Sequence, residues 1–429
     1  MKYLLYFLFT GILSSVSGQH TFEYKNFTKQ MCSPDFHGRG YVEGGDSLAA
    51  DYIAQTFEQI GIQKLSDQYF QTFSFSVNTF PKNCSFEIKG TTLIPGKEFI
   101  TSAMSGGTCE DQPCQAKTFK TKFISGSDFL RYADANQIQK IPLEKNHILV
   151  VENIGYSLDS SRKIAYFIGQ YAQREPIIET VDEKFTWSVS QVALKKLYVK
   201  VQSSKLNRKN EGHKVRINIQ NQFMEQHKAR NVLGLIPARK KSKGTVLLTA
   251  HYDHLGRFGS ETYFPGANDN ASGVAMILEL AQKIKQRPLK RLDVIFVGFA
   301  GEEIGLLGSK YLSEHPMFDL KNIRFQLNLD IMGSGEKGIT AVNGRILDKQ
   351  FRKLQKLNKR LKSVPIVKSR GKAANSDHHY FTEKGVPGFF IYTMGNNQNY
   401  HDVFDTYDAL SFASFDALSF LFDAFLRKL

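Results

Sequence analysis

The chain has 429 residues, of which 41% are hydrophobic and 12% aromatic. That composition excludes global disorder and allows one large domain with an insertion, or two domains. Lysine plus arginine number 56 against 41 acids, a formal charge of +15, so nucleic acid, anionic membranes and acidic polymers stay open as partners until the distribution of charge is read.

The first residues, MKYLLYFLFTGILSSVSGQH, place a lysine before an apolar stretch from Tyr3 to Leu13, then small residues. This is the pattern of a secretory signal peptide over 1–18, with cleavage after Gly18. The apolar stretch is too short to span a bilayer comfortably, and no later stretch qualifies. The expectation is an exported protein, periplasmic or secreted, without stable membrane insertion. The chain has four cysteines, Cys32, Cys84, Cys109 and Cys114. In an exported chain an even number favours disulfides, with Cys109 and Cys114 as a natural short loop and Cys32 and Cys84 left for each other.

GGDSLAADYIAQTFEQIGI (Gly44 to Ile62) reads as a helix, with Asp46 or Ser47 as cap and Gly61 as terminator. It belongs to the first part of the main domain, residues 19–78. Residues 79–225 have another texture, rich in Thr, Ser and Phe, with alternating runs such as KLYVKVQ and KVRINIQ. They are expected to form an inserted β-rich module, and no motif there is assignable to chemistry. From 226 to 429 strands and helices alternate. NVLGLIP, GTVLLTA, DVIFVGFA, IRFQLNLD and GFFIYTM read as strands. Between and after them, helices are predicted over Ala271–Gln286, Ile304–His315, Lys349–Lys362, Ser376–Gly385 and Tyr407–Leu429. Near-continuous apolar strands separated by helices predict an α/β/α sandwich with a mostly parallel, mixed central sheet. The basic runs ARKKSKG and KQFRKLQKLNKRLK carry no nucleic-acid motif. In the second, Phe351, Leu354, Leu357 and Leu361 recur at helical spacing. The charge therefore reads mainly as solvated surface, and no nucleic-acid partner is expected.

In such sheets ligands bind beyond the carboxyl ends of the strands. There GTVLLTA runs into His251 and Asp253, DVIFVGFA into Glu302 and Glu303, and IRFQLNL into Asp330. GFFIYTM leads through a short loop to Tyr400, His401 and Asp402, and PGANDNASG brings Asp269 to a helix start. Any one of these is ordinary as a capping or surface residue. Together they are the His, Asp and Glu vocabulary of zinc sites. A pair of ions needs a bridging carboxylate, and adjacent glutamates are tolerable if Glu303 binds metal while Glu302 serves as base.

The motifs HGRGYVEGGDSLAADYIA, AHYDHLG, PGANDNASG, GFAGEEIGLLGS, LNLDIMG, SDHHYF and YHDVFDTYD resemble, in order, those of the dinuclear zinc aminopeptidases of the bacterial leucyl-aminopeptidase type. The resemblance covers about Phe22 to Asn78 and Ala229 to the C-terminus, and relatives carry a protease-associated domain where the inserted module lies. It implies two zinc ions per chain. His251 and Asp330 would hold one and Glu303 and His401 the other, with Asp269 bridging and a cis peptide bond after it. Asp253 would support His251. Glu302 would be the general base and Tyr400 a donor to the oxyanion, with peptide or protein N-termini as substrate. His254 and His378 would line the pocket, His379 the surface, and Asp402 and Asp405 would orient His401 or cap the last helix. The rival expectations are a glutaminyl cyclase of the same fold and a peptidase-like binding protein without activity.

Overall fold

The computed structural model describes residues 22–108 and 115–429. The expected signal peptide and the Cys109–Cys114 loop lie outside those residues.

The central sheet has nine strands: β1 (Gln63–Lys64), β2 (Phe70–Thr79), β3 (Gln222–Ile236), β4 (Thr245–His251), β5 (Asp293–Phe299), β6 (Ile323–Asp330), β7 (Gly338–Val342), β8 (Val367–Ser369) and β9 (Gly388–Met394). Their order is β1-β3-β5-β4-β6-β9-β7-β8, with β2 also paired to β3. Strands β5, β4, β6 and β9 run parallel at the centre. The antiparallel partners β3 and β7 flank them, so the sheet is mixed around a parallel core.

Successive side chains of a strand face opposite layers, and here both layers are apolar. On β4, Val246, Leu248 and Ala250 enter one core with Val294 and Phe296 of β5, while Leu247 enters the other with Ile295 and Val297. The first core is covered by α1 (Tyr24–Met31), α2 (Gly45–Ile60), α3 (Ser272–Gln286), α5 (Asp348–Leu361) and α7 (Phe415–Leu426). The second is covered by α4 (Leu307–Glu314) and α6 (His378–Glu383), through Leu312 and Phe381. This is the expected α/β/α sandwich.

Some boundaries depart from expectation. Helix α2 ends at Gly61 in the left-handed conformation, but its N-cap is Gly44 without a side-chain bond; Asp46 instead meets Nε2 of His227 at 2.7 Å. The last helix is interrupted because Phe412 N donates to Gly333 O at 2.9 Å and Ser414 Oγ to Gly335 O at 3.0 Å.

Strands β2 and β3 form a long antiparallel ribbon with Gln222 opposite Thr79, and the inserted module grows from its far end. The module is an eight-stranded sheet. Four of its strands are parallel: Lys117–Ser125, His147–Glu152, Ile177–Val181 and Tyr198–Gln202. Two helices, Gly126–Asp134 and Leu158–Tyr171, cross between them, each capped by a serine hydroxyl (Ser125, Ser157). The composition of the insert hid these helices.

The expected Cys32–Cys84 disulfide is corrected by the structure. Both are free buried thiols. Cys32 packs in the first core of the main domain and Cys84 in that of the module.

Candidate metal centre

Every expected site residue sits at the carboxyl edge of the parallel strands. His251 ends β4, Asp330 ends β6, and Glu302 and Glu303 occupy the turn after β5. Asp269 lies between β4 and α3, and His401 in the loop after β9. The two glutamates are not the first turn of a helix. Gly305 N and Leu306 N both fold back onto Glu302 O at 2.9 Å, and α4 begins only at Leu307.

The side chains converge. His251 Nε2 lies 3.3 Å from Asp269 Oδ1 and 3.5 Å from Asp330 Oδ1. His401 Nε2 lies 3.0 Å from Asp269 Oδ2 and 3.1 Å from Glu303 Oε2. The two oxygens of Asp269 thus face two different imidazoles, one on each side. Ligand atoms of His251, Asp269 and Glu303 fall within 4.8 Å of one another, as do those of His251, Glu302 and Asp330. Glu302 is therefore near enough to act on whatever this cluster holds.

Backbone scaffolding explains how the loops stay in place. Asp253 is fully buried and accepts from Glu302 N and Glu303 N, each at 3.2 Å, and from the Tyr41 hydroxyl at 2.6 Å. Its carboxylate is 3.8 Å from His251 Nδ1, whose nearer partner is the Asp253 carbonyl at 3.2 Å. The carboxylate therefore lies beside His251 and also anchors the glutamate turn. Asp405 accepts from Asn268 N and Asp269 N at 3.0 Å, so it fastens the Asp269 loop and not the last helix. The peptide bond after Asp269 is cis, as the resemblance implies. Asp402 accepts from Tyr400 N and Phe404 N and shapes the His401 turn. His254 Nδ1 meets Glu303 Oε1 at 2.6 Å, whereas His378 stacks on Phe390. His379 is half-buried on α6.

Arg39 was not foreseen. It is fully buried and donates to the carbonyls of Tyr252, Met31, Pro265 and Gly266. Its neighbour Gly40 lies so near that a Cβ there would be 2.3 Å from Gly256 Cα, which only glycine permits. The HGRG segment therefore ties α1 to the loops that carry His251 and Asp269.

The inserted module also reaches the centre. Trp187 N donates to His401 O at 2.8 Å, and His401 Nδ1 meets Trp187 O at 3.1 Å. Such a bond fixes the tautomer and points Nε2 at the carboxylates. Lys184 pairs with the buried Asp402 and donates to Gln398 O at 3.3 Å. Gln191 donates to Ile304 O at 3.1 Å, beside Glu303. A strap of the module thus touches two of the loops that present ligand candidates, those of Glu303 and His401. Tyr400 stacks on His401 (centroids 3.9 Å apart, 13° between planes) and leaves its ring half exposed at the rim.

Electrostatics expose a deficit of positive charge. Lost hydration, with Asp377, Glu303 and Asp330 nearby, holds the Glu302 carboxyl well above its usual range. Burial pushes Asp330 and Asp253 up to about 6 and Asp377 up to about 7. Burial alone would raise Glu303 too, but His401 and His254 hold it down at about 2. His401, which burial would lower, is raised to about 11 by Glu303 and Asp269. Asp330 Oδ1 is buried without a hydrogen bond. More buried carboxylates than imidazoles, all facing one point, is the donor chemistry of a cation site.

Residues 231–426 match the model of peptidase family M28. A probable leucine aminopeptidase of Arthroderma otae is 32% identical over 179 residues, 39% of this chain and 48% of that protein. Aminopeptidase YwaD of Bacillus subtilis is 35% identical over 124 residues, 28% of this chain and 26% of that protein. The chain thus spans about half or less of the length of these curated relatives. The solved structure of BSAP, a zinc aminopeptidase from Bacillus subtilis, superposes with a TM-score of 0.68 over 94% of each chain at 18% identity, a likeness of fold. The motif order and the α/β/α sandwich agree with the match to the peptidase family M28 model, which spans residues 231–426, somewhat under half of the chain.

Proposed function

We propose that this protein is an exported zinc aminopeptidase that removes N-terminal residues from peptides. The observation that carries the proposal is Asp269, whose two oxygens face His251 on one side and His401 on the other. The donor set fits two zinc ions: His251 and Asp330 for one, Glu303 and His401 for the other, with Asp269 shared. When bound, zinc supplies Lewis acidity toward a peptide carbonyl and lowers the pKa of water.

The chain's own groups supply the rest. Glu302, whose carboxylate lies against the ligand cluster beside His251 and Asp330, takes the proton of the attacking water and delivers it to the departing amine. The C–O bond forms first, with the carbonyl π electrons moving onto oxygen; the C–N bond then breaks as the carbonyl re-forms, and the proton ends on the leaving nitrogen. The Tyr400 hydroxyl at the rim donates to the developing oxyanion. Recognition of the substrate's free α-amine beside the centre confines cleavage to the first residue. Trp187 and Lys184 hold His401 from outside. Export rests on the leader-like first residues, and the relatives named aminopeptidases support the reaction class.

The test is hydrolysis of aminoacyl-4-nitroanilides and their N-acetylated forms by the zinc-loaded protein and by Glu302→Ala. Release from free but not acetylated substrates, lost in the variant with its zinc retained, is the expected result. Bound zinc without release, but with cyclisation of N-terminal glutamine, would replace the reading with a glutaminyl cyclase. Bound zinc with neither reaction would leave a binding protein.

A further inference from the structure

The positive charge is not spread evenly. At the edge opposite the metal centre, where the parallel strands begin, lies a cavity of about 740 Å³ lined by nine lysines and arginines and, among the described residues, by no acidic side chain. The cations come from five places distant in sequence, among them Arg324 on β6 and Arg427 after α7. Arg239 and Lys243 precede β4, Lys290 and Arg291 precede β5, and Lys349 and Lys353 lie on α5. Lys349 and Lys353 also line a second cavity of about 680 Å³, with Lys356 and Arg360. The two cavities thus form one groove.

Few of these charges are neutralised. Arg352 pairs with Asp348 and Arg427 with Asp423. Two guanidiniums are held by backbone instead: Arg324 donates to Lys243 O at 2.8 Å and Arg427 to Arg287 O at 2.8 Å. Like charges concentrated this way repel, and a bound polyanion would relieve that repulsion. The floor, including Leu289, Phe325, Leu357 and Leu426, is buried, so the groove offers no exposed ring for base stacking and no apolar wedge for a bilayer. Cations contributed along two adjoining cavities suit a chain that carries several anionic groups.

We infer that this groove binds an acidic polysaccharide and anchors the protein on it. Strand β4 has seven residues between the two ends, roughly 20 Å at about 3.3 Å per residue, so an occupant leaves the metal centre open.

The test measures binding of a heparin fragment and of polygalacturonate at rising salt, for the full chain and two variants. The groove variant carries Lys290→Gln, Arg291→Gln, Lys349→Gln and Lys356→Gln. The control carries Lys117→Gln, Lys120→Gln, Lys209→Gln and Lys214→Gln on the inserted module, removing the same net charge. Loss of about tenfold or more in affinity and a shallower salt dependence in the groove variant alone is expected. Whichever polysaccharide binds identifies the anionic group as sulfate or carboxylate. Equal losses in both variants would reduce the effect to net charge and overturn the inference. Tighter binding of a DNA duplex or of phosphatidylserine vesicles through the same residues would overturn the assignment to polysaccharide. Unchanged thermal unfolding and metal content verify that the variants are folded.

Discussion

Replacing Arg39 with methionine tests how the metal centre is built. The substitution keeps an unbranched apolar stem but removes a guanidinium that donates to Pro265 O and Gly266 O at 2.6 Å, Tyr252 O at 2.8 Å and Met31 O at 2.9 Å. A hydrogen bond from a charged donor contributes about 1.5–3 kcal/mol, and a buried carbonyl left without a donor costs about 1–3 kcal/mol. These contributions share one side chain and do not add, so the expected loss is roughly 3–5 kcal/mol, as for breaking a buried charged network. Against a total stability of about 5–15 kcal/mol that loss is large. Two of the four carbonyls belong to the loop that carries Asp269, so zinc affinity falls as well. Urea unfolding in the presence of a chelator reads the first effect, and zinc titration of the folded variant reads the second. A loss below about 1 kcal/mol with unchanged zinc affinity would refute the claim that Arg39 ties these loops together.

Other expectations follow from single contacts. Lys184→Met leaves the buried Asp402 without its cation, so zinc occupancy of the wild-type level requires higher free zinc; unchanged occupancy would remove the strap from the centre. Gly40→Ala forces a Cβ against the Gly256 backbone, and overpacking of this kind costs about 1–3 kcal/mol in denaturant unfolding; a neutral result would mean that the two loops part easily. Cys32 and Cys84 are free and buried, so denaturation without reductant releases two further thiols to a titrating reagent, and no increase would restore the disulfide.

The parallel strands were legible because burial on both faces writes long apolar runs, as in DVIFVGFA. The metal centre was legible for a related reason: a charged residue ending such a run has to be used by something. What escaped detection is carried by backbone. Trp187 holds His401 through its own main-chain N–H and carbonyl, and no side-chain pattern announces that. Arg39 bonds to carbonyls drawn from three distant segments, which a lone buried-to-be arginine in HGRG does not reveal. Asp253 was read from its place two residues after His251, beside which it does lie, but its second task, holding the Glu302 and Glu303 amides, exists only once folding brings that turn to it. The short strands β7 and, at the sheet edge, β8 lack a long apolar run. The basic runs looked like solvated surface taken singly, and only the fold gathers them at one end of the sheet.

Zinc stoichiometry of the wild type and of Asp269→Asn, measured by titration of the metal-free proteins, tests the central claim most directly. The account predicts two ions per wild-type chain and weakened binding at both positions in the variant, because the two oxygens of Asp269 serve both sides. A single ion in the wild type, or loss of one position with the other untouched in the variant, would contradict a shared dinuclear centre.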